Sequence, residues 1–131
     1  MLVYKGKYLT IDYFSDENYI LVKRYVSEDI SIDEYKYLTS EWLKVIAKYK
    51  PFGQLVDYTD LTKPIKPEFQ QYAHNNLVVP AVKISIKKSA FIISRYLFAQ
   101  MSVEDIMSKS SDILEYRFFS DFNKAKDWLF Q

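Results

Sequence analysis

Ile113-Leu-Glu-Tyr-Arg-Phe-Phe-Ser-Asp-Phe-Asn-Lys-Ala-Lys-Asp-Trp-Leu129 is the stretch that decides the fold class. Its first seven residues form an apolar, aromatic-rich run that predicts a strand over 113–119. Ser120 and Asp121 supply a helix start, and Phe122 to Leu129 then predicts a short closing helix. In mid-chain, Leu55-Val-Asp-Tyr58 reads as part of a second short strand, one buried on both sides. Strands that alternate with helices in this way predict a small α/β layer protein.

Working outward, Tyr8–Phe14 and Tyr19–Val26 are two further strand-like runs separated by the turn-rich tetrad Ser15-Asp-Glu-Asn18. They predict an antiparallel hairpin, which sets the chain apart from doubly wound domains that open β-α. Ser31-Ile-Asp-Glu34 is a capping box, and Ile32, Tyr35, Leu38, Trp42, Val45, Ile46 and Tyr49 recur on one helical face until Pro51 and Gly53 stop the helix. A strand over 54–58 follows. A second helix opens at Pro67, carries Phe69, Tyr72, Ala73 and Leu77, and must end or kink near Pro80. After a strand over 89–94, a third helix holds Leu97, Phe98, Met101, Val103, Ile106 and Met107, with Ser102 and Asp105 offering a fresh start inside it. The expected order is β-β-α-β-α-β-α-β-α, a mixed sheet opened by the hairpin and covered by about four helices. No internal repeat or linker divides residues 1–131, which read as a single domain.

Composition narrows the function classes. Eighteen basic and seventeen acidic residues give a net charge of +1, without the basic excess of a nucleic-acid protein. The chain has no cysteine, which removes disulfides, thiolate zinc sites and thiol catalysis and fits a reducing, cytoplasmic setting. The longest apolar run, Leu77 to Val82, falls far short of the ~20 residues that span a bilayer, so membrane insertion is not expected. Twelve Tyr and nine Phe predict many rings at the boundary between core and surface, with the hydroxyls turned to partners or water.

The candidate sites are few. Asp57 closes the mid-chain strand at its carboxyl end, where ligands of α/β sheets bind, and Thr59, Asp60 and Thr62 follow it. These four residues are the candidate partner surface. An alternative is an Asp57-phosphorylated receiver, which needs an acidic pair at the end of the first strand, a hydroxyl after the fourth and a Lys after the fifth. Ser94 could serve as the hydroxyl, but no Lys stands after the last strand before Lys124. Asp16 and Glu17 are the available pair, but they lie in the hairpin turn. The simplest reading of Asp57 and Asp60 is that they bond to backbone N–H groups of their loop. His74, the single histidine, is expected to be a solvent-facing or hydrogen-bonded structural residue. Lys63, Lys66, Lys83, Lys87 and Lys88 make a basic middle read as solvated surface. Tyr96, Leu97 and Phe98 are expected to pack the third helix on the sheet, with an apolar groove as the alternative. No cofactor, metal or catalytic residue is assigned.

Leu55-Val-Asp-Tyr-Thr-Asp60 and Tyr116-Arg-Phe-Phe-Ser-Asp-Phe-Asn-Lys-Ala-Lys-Asp-Trp-Leu129 together resemble the SpoIIAA-like (STAS/SEC14-type) domain family. That family has an Asp-containing segment after its middle strand. Its chain closes on an Arg-x-Phe strand, an acidic turn and a helix with Ala, Trp and Leu. Arg117, Phe119, Asp121, Ala125, Trp128 and Leu129 take those places here. The resemblance implies a β-α superhelix and a non-enzymatic role in protein–protein regulation, or the binding of a small lipid-like apolar ligand. It also leaves room for a homodimer. Anti-sigma-factor antagonists of this superfamily carry a phosphorylated Ser at the start of the helix after the middle strand. Here that region is Lys63-Pro-Ile-Lys-Pro-Glu-Phe69, with no hydroxyl between Thr62 and Ser85, so that switch is not expected. An apolar pocket of roughly 300 Å³ or more between helix and sheet would favour the ligand reading over the partner reading.

Overall fold

The computed structural model describes residues 1–25 and 30–131. Six strands form one sheet in chain order: β1 (Leu2–Lys5), β2 (Leu9–Phe14), β3 (Tyr19–Arg24), β4 (Gly53–Asp57), β5 (Lys88–Ile92) and β6 (Glu115–Phe119). The first three pair antiparallel, and β3 to β6 are parallel. All five expected strands therefore stand within two residues of their expected bounds, and the hairpin is β2–β3. Val26, the last residue of the expected second strand, lies outside the described residues.

One strand is additional. β1 pairs with β2 across a register irregularity between Leu2 and Tyr4, so the chain opens with a three-stranded meander rather than a hairpin. Four residues at a sheet edge, with Leu2 exposed, leave too short a pattern for periodicity to reveal.

The helices are α1 (Ile32–Tyr49), α2 (Pro67–Ala73), α3 (Val79–Ile84), α4 (Leu97–Ser108) and α5 (Phe122–Leu129). Because the parallel strands are added in one direction, crossovers of one hand place α1 to α4 on a single face. There they bury Ile20, Val22, Val56 and Phe91 of the sheet beneath Leu38, Trp42, Ile46, Leu77 and Ile106. Among the described residues the opposite face is covered by α5, whose Ala125 and Leu129 sit over Tyr19, Leu21, Leu55, Ala90 and Ile92.

Local chemistry explains the helix ends. The α1 capping box is formed, with the Ser31 hydroxyl accepting from the Glu34 N–H at 3.1 Å and the Glu34 carboxylate accepting from the Ser31 N–H at 3.2 Å. Between α2 and α3, residues His74–Val78 form a single π-helical turn, with Pro80 at the start of α3. Proline lacks the N–H that an unbroken α-helix requires, and widening the preceding turn lets the chain continue past it. The expected end or kink at Pro80 is thus met by a change of pitch six residues earlier. Ser102 starts nothing: its hydroxyl donates to the Ala99 carbonyl at 2.6 Å and accepts from the Ile65 N–H at 2.9 Å, leaving α4 continuous. None of the helices among the described residues is long and apolar enough to cross a membrane.

Candidate functional site

The carboxyl ends of β4 and β5 open onto two loops, 58–66 and 93–96, that lead into α2 and α4. Several hydrogen bonds fix these loops. Asp57 Oδ1 accepts from the Thr59 N–H at 2.9 Å and from the Thr59 hydroxyl, an Asx-type turn. Leu61 N–H donates to the Tyr58 carbonyl at 2.9 Å, burying Leu61 completely. The Ser94 hydroxyl crosses between the loops to donate to the Leu61 carbonyl at 2.7 Å. On the surface Arg95 pairs with Asp60 at 2.7 Å, a contact exposed enough to orient side chains rather than to stabilise much.

The four sequence-predicted residues are therefore together on one loop. Asp57, Thr59 and Thr62 are half-buried and Asp60 is exposed. Asp57 bonds to the Thr59 N–H, as the backbone-bonding reading anticipated, whereas Asp60 is engaged by the Arg95 side chain instead. Asp16 and Glu17 lie on the turn before β3. Tyr19, at the start of that strand, is level with Gly53 at the start of β4, whereas Asp57 ends β4. The acidic pair is thus at the opposite edge of the sheet, where Glu17 faces Lys126 at 3.5 Å. Among the described residues no group of three or more His, Asp or Glu side chains is placed to hold a metal ion. His74 Nδ1 lies 2.9 Å from the Ser110 hydroxyl, the expected hydrogen-bonded histidine.

Next to this loop lies the apolar groove that the sequence offered only as an alternative. Leu97 and Phe98 were expected to pack on the sheet, yet they are 69% and 70% exposed, with Tyr96 and Met101 also largely exposed. The inward face of α4 is already filled by Ala99, Ser102, Val103, Ile106 and Met107. The spacing leaves 97, 98 and 101 on the other side of the helix. Phe98 and Met101 instead line an open groove of about 550 Å³ with Ile30, Pro64, Ile65 and Phe69, rimmed by Lys63, Lys66 and Asp105. The groove runs between α2 and α4, directly after the Asp57–Thr62 loop.

A second feature was overlooked. Arg24 closes β3 on the same face as Ile20 and Val22 and is only 3% exposed. Strict alternation along Tyr19-Ile-Leu-Val-Lys-Arg24 was the signal that could have revealed it. It lines a cavity of about 30 Å³ between the helices and the sheet, with Tyr35, Tyr58, Thr39, Gln54 and apolar side chains of α3 and α4. Burial pushes the Tyr35 and Tyr58 hydroxyls well above the usual phenol range, and the nearby Arg24 charge pulls both the other way.

No protein-family model matches the sequence, and no curated protein does. A solved structure does: an uncharacterised DUF3478-family protein with a SpoIIAA-like fold from Shewanella loihica PV-4. It superposes over 97% of this chain and 98% of its own with a TM-score of 0.63, at 17% sequence identity. At that identity the likeness speaks for architecture alone. The meander followed by a parallel β-α succession, covered on both faces, is a SpoIIAA-like fold.

Proposed function

We propose that this chain is a non-enzymatic regulatory module that binds another protein through the groove between α2 and α4. The observation that carries the reading is the set Leu97, Phe98 and Met101, which stand out of the fold beside that groove. An apolar patch rimmed by charged side chains marks a protein-binding surface more often than an accident of packing. The groove follows the carboxyl ends of the parallel strands, the edge where α/β sheets place their sites. An amphipathic segment offering a row of apolar side chains fits such a cleft. Lys66 and Asp105 at the groove select its charge pattern.

The interaction does not rely on a phosphorylated hydroxyl at the start of α2, since Lys63-Pro-Ile-Lys-Pro-Glu-Phe69 contains none. The absence of cysteine is in keeping with work in the cytoplasm. The carriage of a bulky lipid-like ligand between helices and sheet is less well supported. The cavity there is about 30 Å³, an order of magnitude below the volume such ligands occupy.

A double substitution, Leu97→Ser with Phe98→Ser, tests the proposal by co-purification from the native host. The expected result is an unchanged melting profile with loss of the partner bands seen with the wild-type chain. Sedimentation of the purified chain shows whether the partner is a second copy, in which case the variant loses mass. Partner bands that persist with the double variant would refute the groove as the docking site.

A further inference from the structure

We propose that the cavity between the helices and the sheet is a binding site for a small monocarboxylate, held by Arg24. Arg24 carries an unbalanced charge among the described residues. Arg24 is 3% exposed, and its Nε is buried without any hydrogen-bond partner. A guanidinium cannot shed its proton to escape burial, as a lysine can. A buried cation without a counter-charge is among the costliest arrangements a fold can hold.

Among the described residues the cavity walls do not supply that counter-charge: no Asp or Glu is among those that line it. The polar neighbours are mostly committed elsewhere. The Thr39 hydroxyl donates to the backbone carbonyls of Tyr35 and Lys36, at 3.1 and 2.9 Å. The Gln54 amide accepts from Trp42 Nε1 at 3.1 Å and donates to the Ser89 hydroxyl at 3.0 Å. What remains is one fixed positive charge beside the Tyr35 and Tyr58 rings, facing Leu77, Ala81, Ile106 and Met107.

These features define the occupant. A single guanidinium matches a single negative charge, and its forked N–H groups suit the two oxygens of a carboxylate. A dianion such as hydrogen phosphate leaves one charge uncompensated in an apolar site. The apolar wall opposite accepts an alkyl end. The space of about 30 Å³ corresponds to about two water molecules, the size of formate, which acetate exceeds by about one water and propionate by about two. Longer acids need the flexible Met107 to give way. The site is independent of the α2–α4 groove, so either assignment can fail alone.

The test titrates the full chain, dialysed free of carboxylates, with formate, acetate, propionate, hexanoate, chloride and phosphate at constant ionic strength. Two signals are followed: the Arg24 Nε–H resonance and the thermal midpoint, which a ligand of the native state must raise. Formate and acetate are expected to shift both saturably, ahead of propionate and hexanoate, with chloride and phosphate giving no saturable change. Arg24→Met keeps the side-chain stem and removes the charge. It is expected to melt no lower than wild type in carboxylate-free buffer and to bind acetate about thirtyfold more weakly or worse. Should Arg24→Met fail to fold, Ala81→Leu fills the cavity while keeping the charge, and it too is expected to lose the acetate response. The proposal is overturned by no saturable shift with any acid, by chloride acting as well as acetate, or by Ala81→Leu binding acetate normally. An Arg24→Met protein that melts well below wild type in carboxylate-free buffer also overturns it, because the chain then already supplies the counter-charge.

Discussion

α4 and α5 are both amphiphilic helices that follow a parallel strand, yet they treat their apolar residues differently. α5 turns Ala125 and Leu129 into the sheet, half-covers Trp128, and faces solvent with Asn123, Lys124 and Asp127. Apart from Phe122 at its first position, which is 39% exposed, its apolar content is used up by the fold. α4 fills its inner face with Ala99, Val103, Ile106 and Met107 and still carries Leu97, Phe98 and Met101 on the outside. A helix apolar on one stripe belongs to its own core; a helix apolar on two sides has a second surface to cover. The contrast separates residues that build this protein from residues available to bind something.

The largest effect is expected at Leu129. It is 1% exposed and lies against Gly53, where a Cβ would meet its side chain at 3.0 Å, so Leu129→Ala should cost about 3 kcal/mol. A urea midpoint that barely moves at constant slope would show that α5 docks loosely and would erase the contrast.

Trp128 comes next. Its spacing with Ala125 and Leu129 suggested a buried ring, but the side chain is only partly covered, resting on Phe119 with Lys88 Nζ 4.6 Å from the ring centroid. Trp128→Ala is therefore expected to cost about 1–2 kcal/mol, below the range for a fully buried ring. A loss as large as that of Leu129→Ala, in the same urea titration, would mean the ring is a core element.

Helix starts sharpen the comparison further. Asp121 caps α5 by accepting from the Asn123 and Lys124 N–H groups at 2.7 and 3.2 Å, whereas Tyr96 gives α4 no side-chain cap. Asp121→Ala should lower stability by about 1 kcal/mol. Tyr96→Ala should be close to neutral, and thermal melts of the pair read the difference.

The smallest effect is predicted where the side chain is most conspicuous. Phe98→Ser should change stability by no more than about 0.5 kcal/mol, since the ring is 70% exposed. A clear loss in a chemical melt would place Phe98 in the core and remove it from the docking surface.

The same contrast explains what the sequence could disclose. The strands over 54–58 and 89–94 were legible because parallel strands covered on both faces are short, unbroken apolar runs between turn signals. α1 was legible from Ser31, Glu34 and seven apolar residues on one stripe. The four-residue edge strand β1 has no such pattern. At α4, periodicity shows that Leu97, Phe98 and Met101 are apolar, but not that Val103, Ile106 and Met107 have already filled the space beneath. The Asp57–Thr62 loop was legible from its place after a strand, while the groove beside it is assembled from Ile30, Pro64, Ile65, Phe69, Phe98 and Met101, distant in sequence and joined only by folding. Arg24 was written in the alternation of β3, yet a basic residue near a strand end is ordinarily read as solvent-facing.

The most direct measurement places a photo-crosslinking amino acid at Phe98 on α4 or at Phe122, an exposed aromatic on α5, and irradiates cells of the native host. The account predicts a discrete, high-yield adduct from position 98 that is absent or weak from position 122. Equal adduct patterns from the two positions, or none from position 98, would contradict the claim that the outer face of α4 is the docking surface.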